Sequence, residues 1–561
     1  MKLIHVISAA LLAAAAVSAG PPARSVEPDA GTLPVWVFFE RGKRPPACPA
    51  VSPRAYLRTA RRGAPDSPVL VPPDQALIDR IAPFVVRIRH RSSYFNAVSA
   101  EVHPGDIPRL LSVPGVVRIS PVRTFRRERA GPGSAPVDAG AGRASGRVSL
   151  ADPYGPSYGQ LAMIEAAELL EAGYNGSGSE GGTEQLLIGI LDTGFLLGHE
   201  AFSHLDVQAQ YDFVQDDTIT ANETGDDPQQ DRHGTLVLGV IAGRLPGSLA
   251  GPAWGARYLL AKTEIVGEEI QIEEDNWVAG IEWCDQLGAD IVTSSLGYID
   301  WYTPDSLDGN TALCTKAADI AASRGIVVCN SAGNYGYNGE TSIIAPADGD
   351  SVIAVGGVYS DRSLWYSSSR GPTADGRIKP DLVAQSVGVV SVEWPATTGI
   401  AGYSGTSFSA PLVAGLCAQL LEVHPDWTPM QLLDSLRVHA THATAPDNGY
   451  GWGIPRGLVT AGFVEPGPAG PLTVSDPYPN PFTASVGFDL RAERLALLDV
   501  RVYDVRGALV RRLVTDELFI LDDTIEWDGR TDSGGEVPSG VYFVEFDSPL
   551  ARWTFTVVRI R

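Results

Sequence analysis

The sequence predicts an α/β protein: a mostly parallel sheet covered by helices on both faces, with a small α+β domain before it and a β-sandwich after it. Three observations carry this. Between about residues 155 and 465, continuous apolar runs such as 186–191 alternate with helical stretches, the pattern of strands buried on both faces. From 33 to 127, basic side chains outnumber acidic ones by more than about two to one, although the whole chain has a formal charge of −23. From residue 472 onward, short segments alternate apolar and polar with no helical stretch. At 561 residues the chain exceeds what one core supports, so several domains are expected. The acidic balance argues against nucleic-acid binding.

Taken in order, Lys2 precedes an apolar run, residues 3–17, that ends in Val17-Ser18-Ala19. Residues 1–19 therefore read as a secretory signal peptide, and the mature chain is expected outside the cytoplasm, extracellular or at the cell surface. No later stretch is long and apolar enough to predict a transmembrane segment. In the basic region, strands are expected at 34–39, 84–89, 97–102 and 116–120, with a short helix at 107–111. Residues 128–150 are rich in Gly, Ala, Ser and Pro and read as an exposed linker. In the central domain, 155–465, strands are expected at 186–191, 258–262, 290–295, 325–329 and 352–356, and helices at 277–287 and 312–323. Asp192, Ser295 and Asn334 fall at or just past strand ends, where parallel sheets build their sites. Of the five cysteines, Cys48, Cys284, Cys314, Cys329 and Cys417, none has metal-site spacing, and Cys284–Cys314 is a candidate bridge.

The chemistry centres on Gly405-Thr406-Ser407-Phe408-Ser409-Ala410-Pro411, which opens a helix with Leu412, Leu416 and Leu420 on one stripe. Gly405 allows close backbone approach. Ser407 lies at the helix start, where unpaired N–H groups favour developing negative charge. A serine hydroxyl needs a base and an orienting acid to act as a nucleophile. Asp192-Thr193-Gly194 and Asp231-Arg232-His233-Gly234-Thr235 offer them, and Ser331-Ala332-Gly333-Asn334 offers an amide donor. Singly, each has a plainer role: turn, helix cap or structural histidine. Together, in the order Asp, His, Asn, Ser within one α/β domain, they are far more specific.

That order resembles subtilisin-like serine proteases. The resemblance extends to Ser295-Leu296-Gly297, Lys379-Pro380-Asp381 and Gly449-Tyr450-Gly451-Trp452-Gly453. It implies Ser407 as nucleophile, His233 as base and Asp192 as the residue that orients it. Asn334 would join the backbone N–H of Ser407 in an oxyanion hole, and Ser295, Leu296 and Gly297 would line the substrate strand. His199 matches a structural position of the family. Phe408 replaces a usual Met, and Gln385-Ser386 a usual Pro-Gly.

Residues 95–102 and 111–117 resemble the inhibitory propeptide of the same proteases, which implies that residues 33–127 are an intramolecular inhibitor. Residues 472–561, with Tyr478-Pro479-Asn480-Pro481-Phe482, Trp527-Asp528-Gly529 and Ser539-Gly540-Val541-Tyr542, resemble Ig-like domains of flagellar hook-capping proteins and sorting domains of type IX secretion substrates.

The expectation is a secreted serine endopeptidase, a hydrolase of polypeptides made as an inhibited precursor. An aspartic protease, suggested by Asp192-Thr193-Gly194 and Asp532-Ser533-Gly534, is disfavoured because those folds are all-β. The alternative from another class is a catalytically silent surface-binding protein on a protease scaffold. Acidic loops at Asp216-Asp217 and Asp226-Asp227 carry oxygen ligands suited to structural calcium but in no ordered spacing, so no metal or other cofactor is required.

Overall fold

The computed structural model describes residues 31–41, 51–64, 70–122, 153–178, 184–267, 270–463, 473–491, 496–519, 523–548 and 551–560. The expected signal peptide, the expected linker at 128–150 and Cys48 lie outside them. Two units are distinguished, Met1–Gly457 and Leu458–Arg561.

The first unit begins with a four-stranded antiparallel sheet: β1 (Leu33–Phe39), β2 (Arg87–Ser92), β3 (Ala97–Val102) and β4 (Val116–Pro121), in the order β2-β3-β1-β4. The unbroken apolar run of β1 reflects burial on both faces. Val35, Val37 and Phe39 pack with Ile78, Ile81 and Leu110, whereas Trp36 and Phe38 join a core that contains Trp277, Val278 and Ile281 of the next domain.

Three helices accompany this sheet: α1 (Pro53–Arg62), α2 (Gln75–Ile81) and α3 (Ile107–Leu111). The sequence reading found only α3. Both others carry N-terminal signals. Ser52 Oγ accepts from Ala55 N–H at 3.1 Å ahead of Pro53, and Asp74 Oδ1 accepts from Ala76 N–H at 2.9 Å. The strand expected at 84–89 begins at Arg87 instead. Phe84 and Val85 bury their apolar surface from a turn that extends α2.

The central domain holds a seven-stranded, wholly parallel sheet. Its strands are β5 (Leu187–Asp192), β6 (Asp206–Asp212), β7 (Arg257–Lys262), β8 (Ile291–Ser294), β9 (Val327–Ser331), β10 (Val352–Val358) and β11 (Leu382–Gln385). The order is β11-β10-β9-β8-β5-β7-β6. Helices α4 (Arg232–Ala242) and α7 (Thr406–Val423) pack together on one side, and α5 (Ile272–Leu287) and α6 (Leu313–Ser323) on the other. The chain reverses its direction of travel across the sheet between β5 and β8, which opens a crevice at their carboxyl ends.

Helix α7 is buried on every side from Thr406 to Glu422, so the single leucine stripe expected there is a correction: sheet, α4 and loops surround the helix. Among the described residues, α7 is the helix long and apolar enough to cross a membrane, and it is a core helix here. Cys284 and Cys314 are free, buried thiols, which overturns the candidate bridge; Cys329 and Cys417 are likewise free and buried.

Helix α5 presents carboxylates to the first sheet. Asp275 accepts from Trp36 Nε1 and Ser99 Oγ, both at 2.5 Å. Glu282 accepts from Ser92 Oγ and from Ser93 N–H, the latter at 2.8 Å. Asp285 binds Arg58, and Tyr94 Oη at 2.9 Å, while Asp290, just past the helix, binds Arg54 and Arg62.

The second unit is β-rich. Its three-stranded sheet comprises Thr473–Val474, Val486–Arg491 and Asp523–Trp527; its four-stranded sheet comprises Ala496–Asp504, Leu509–Phe519, Gly540–Ser548 and Ala551–Arg559. Residues of both sheets share one core, with Phe488 and Phe546 ring centroids 5.0 Å apart.

Candidate active site

Asp192 ends β5, fully buried, at the crevice where the strand order reverses. Helix α4 brings His233 over it in its first turn, and the approach requires Gly234: a Cβ there would fall 2.2 Å from Gly194 O. His233 Nδ1 lies 2.7 Å from Asp192 Oδ1, which also accepts Thr193 N–H at 2.8 Å. The carboxylate acceptor puts the proton on Nδ1 and leaves Nε2 with its lone pair in the neutral ring. Burial opposes the imidazolium, but the Asp192 charge and hydrogen bond outweigh it and raise the His233 pKa above 6.5.

Ser407 is the second residue of α7. His233 stands beside this helix start, its ring centroid 6.2 Å from that of Phe408. Phe408 also packs at 5.8 Å from Tyr403, so the aromatic side chain that departs from the family's usual Met helps wall the imidazole. Ser407 Oγ donates to Ser295 O at 3.4 Å, a weak tether that leaves the hydroxyl ready to turn.

Pro411 sits inside α7 and has no N–H for the Ser407 carbonyl four residues back. Ser295 Oγ fills that place, donating to Ser407 O at 2.7 Å. The side chain of Ser295 therefore supports the helix start, a role the sequence reading missed; a proline four residues after the serine was the available signal. Ser295, Leu296 and Gly297 follow β8 directly.

Asn334 follows β9. Its Oδ1 accepts from Thr406 N–H at 3.0 Å and Thr406 Oγ1 at 2.9 Å, which fixes the amide orientation and leaves Nδ2 as a donor at the exposed end. Thr406 as the residue that aims Asn334 was also missed, since nothing local marks a threonine for that work. Gly405 needs revision. A Cβ there would meet nothing closer than 3.7 Å, so its φ of +154°, rather than close approach, explains the glycine. The Gln385-Ser386 departure lies under this turn, where Gly405 N–H donates to Ser386 O at 2.8 Å.

His199 is structural, as expected: Nε2 donates to Gly399 O at 2.9 Å and Nδ1 accepts from Ala201 N–H at 3.1 Å. Lys379 and Asp381 form a buried ion pair at 2.8 Å, and Arg437 joins it.

The acidic loops are tied to protein groups. Asp216 accepts from Tyr211 Oη at 2.5 Å and Asp227 from Gln229 N–H at 2.8 Å. Lys262 Nζ lies 2.7 Å from Asp212 Oδ2 and 2.9 Å from Asp226 Oδ2. Burial opposes the Lys262 charge, but these two carboxylates outweigh it and raise its pKa. Oxygens of Asp212, Asp217 and Glu223 lie within 4.8 Å of one another, a gathering hidden from the sequence because Asp212 ends β6. The buried ammonium already answers part of that charge.

Known proteins resemble this chain over its central domain. The Subtilase family model matches residues 183–453. The chain is 33% identical to subtilisin of Bacillus pumilus over 296 residues, 52% of this chain and 92% of that protein. It is 33% identical to subtilisin E of Bacillus subtilis, covering 52% of this chain and 66% of that one. Serine protease AprX of Bacillus subtilis is 29% identical over 306 residues, covering 49% and 64%. The chain belongs to the subtilase family and is a subtilisin-like serine peptidase.

Proposed function

We propose that this chain is a secreted serine endopeptidase, made as an inhibited precursor, that hydrolyses polypeptides through Ser407, His233 and Asp192. The observation that carries the reading is the 2.7 Å His233–Asp192 contact beside the start of α7. His233 Nε2 takes the Ser407 proton as Oγ attacks the scissile carbonyl, and returns it to the leaving amine. Asp192 holds the tautomer and stabilises the imidazolium. Asn334 Nδ2 and the Ser407 N–H receive the oxyanion. Water then hydrolyses the acyl-enzyme by the same steps in reverse.

The substrate runs extended beside Ser295, Leu296 and Gly297. The chemistry draws on protein groups alone and needs no cofactor; the Lys262 ammonium serves as the internal counter-charge of the acidic loops. The first domain, held on α5 through Asp275, Glu282 and Asp285, acts as the propeptide inhibitor. The resemblance of residues 1–19 to a signal peptide supports export, and the β-rich unit at 472–561 serves as a sorting or surface module.

Intact mass of the purified precursor tests this. The wild type sheds its first roughly 130 residues, and Ser407→Ala stays full length when kept apart from active enzyme. Processing of both to the same product assigns the cut to another protease and removes self-processing from the proposal.

A further inference from the structure

We propose that Ile344 fills the pocket for the side chain preceding the scissile bond, so that this enzyme cleaves after Gly, Ala or Ser and rejects large side chains there. The proposal rests on the serine-peptidase reading above.

A peptide lying along Ser295–Gly297, with its carbonyl between the Ser407 N–H and Asn334, directs the adjoining side chain into the gap between two strand ends. One wall is Ser295–Gly297 after β8, and the other is Ala332–Asn334 after β9. Gly297 and Gly333 line this gap and contribute no side chains to it. Ile344 occupies the room they leave. A Cβ built on Gly297 would fall 2.3 Å from Ile344 Cδ1 and 2.5 Å from its Cγ1. One built on Gly333 would fall 3.0 Å from Ile344 Cγ2 and 3.2 Å from its Cδ1. The side chain thus touches both walls.

Its position is fixed from several directions. Ile344 is only 5% exposed, and its N–H donates to Ala332 O at 3.3 Å. Ala345 exchanges two hydrogen bonds with Tyr298, at 2.8 and 3.1 Å, tying the segment to the first wall. Ser342 N–H donates to Arg370 O at 2.9 Å on the other side. Ile343 packs with Ala332, Ala347 and Ala354 beneath. A β-branched side chain on so constrained a backbone has few rotamers in which to swing aside.

The chain's own composition agrees. Residues 130–151, between the first domain and the protease domain, consist mostly of Gly, Ala and Ser and contain no aromatic residue. A protease restricted to small side chains finds many bonds to cut there.

The test uses enzyme processed from the full-length precursor, with its active sites titrated with a fluorophosphonate. Two peptide anilides differing only in Ala or Phe before the scissile bond are compared by kcat/KM. The wild type is expected to prefer Ala by about 50-fold or more, and Ile344→Gly to raise the Phe value by roughly 10–200-fold, the range for small volume changes in such pockets. Ile344→Val, which deletes one methyl group, moves the Phe-to-Ala ratio in the same direction by less. That variant and the wild-type ratio decide the matter should Ile344→Gly not fold. A titrated wild type that cleaves after Phe as well as after Ala overturns the proposal, as does an unchanged ratio in a titrated Ile344→Gly. A wild type that neither labels nor cleaves any peptide overturns the catalytic reading, and this proposal with it.

Discussion

Two carboxylate-bearing places in the first unit use their polar atoms in opposite ways. Asp285 on α5 receives Arg58, Arg324 and Tyr94, and Asp290, just past the helix, receives Arg54, Arg62 and the Leu187 N–H. Burial opposes the Asp290 charge, but Arg62 and Arg54 outweigh it and hold its pKa below the usual carboxylate range. At the crevice, among the described residues, Asp192 Oδ2 is buried with no hydrogen-bond partner, and Ser407 Oγ has one contact, at 3.4 Å. The Asn334 amide spends its oxygen on Thr406 and keeps its Nδ2 hydrogens for something else. Carboxylates with both oxygens engaged hold two surfaces together, whereas polar groups fixed but unspent are what the proposed reaction needs.

Breaking the reactive side has the largest expected effect. His233→Ala is expected to lower kcat by about 10⁶-fold, the size found in subtilisin itself for the nucleophile or base alone. Steady-state kinetics on a peptide anilide, with circular dichroism to confirm folding, checks this. Next, Asn334→Leu should lower kcat by about 10²–10³-fold with little change in KM, again the size known in this family for one oxyanion donor. A KM raised by that factor with kcat unchanged would make Asn334 a ground-state binder.

On the holding side, Arg58→Ala in a Ser407→Ala precursor removes a side chain that is 1% exposed, unpairs Asp285 Oδ1 from it and takes away the donor to the Ala289 carbonyl. Loss of such an anchor should weaken docking by about 2–4 kcal/mol, and amide hydrogen exchange in β2 and β3 should quicken accordingly. Unchanged exchange would show that the ion pairs there are dispensable.

The smallest effect sharpens the comparison. In the proposed mechanism His233 must be neutral to act as base, and Asp192 raises its pKa against burial, so kcat/KM should fall about tenfold per pH unit below a midpoint above pH 6.5. In Asp192→Asn the raising charge is gone and burial remains, so the limb should move to lower pH in a pH–rate profile. A limb that stays in place would separate the titrating group from this pair.

Much of the candidate site was legible because each candidate residue sits where chain geometry changes. Asp192 ends an apolar run, His233 and Ser407 open buried helices, and Asn334 follows a strand. The supporting contacts were not legible, because they link distant segments. Ser295 and Ser407 are 112 residues apart, and Asn334 and Thr406 are 72 apart. Helices α1 and α2 were missed although capped, since α1 carries a strongly basic stretch whose buried arginines make sense only against Asp285 and Asp290. Strand β2 was misplaced for a related reason: Arg89 and His90 are half-buried by contact with another domain, and His90 bonds Asn276 at 2.8 Å. Alternation within a segment cannot report a partner outside it.

The most direct measurement is peptide mapping of the fluorophosphonate adduct on processed enzyme, in wild type and in Asp192→Asn. The account predicts a single adduct on Ser407, formed far more slowly in Asp192→Asn because the base has lost its orienting partner. An adduct on another serine, or equal labelling rates in the two proteins, would contradict it.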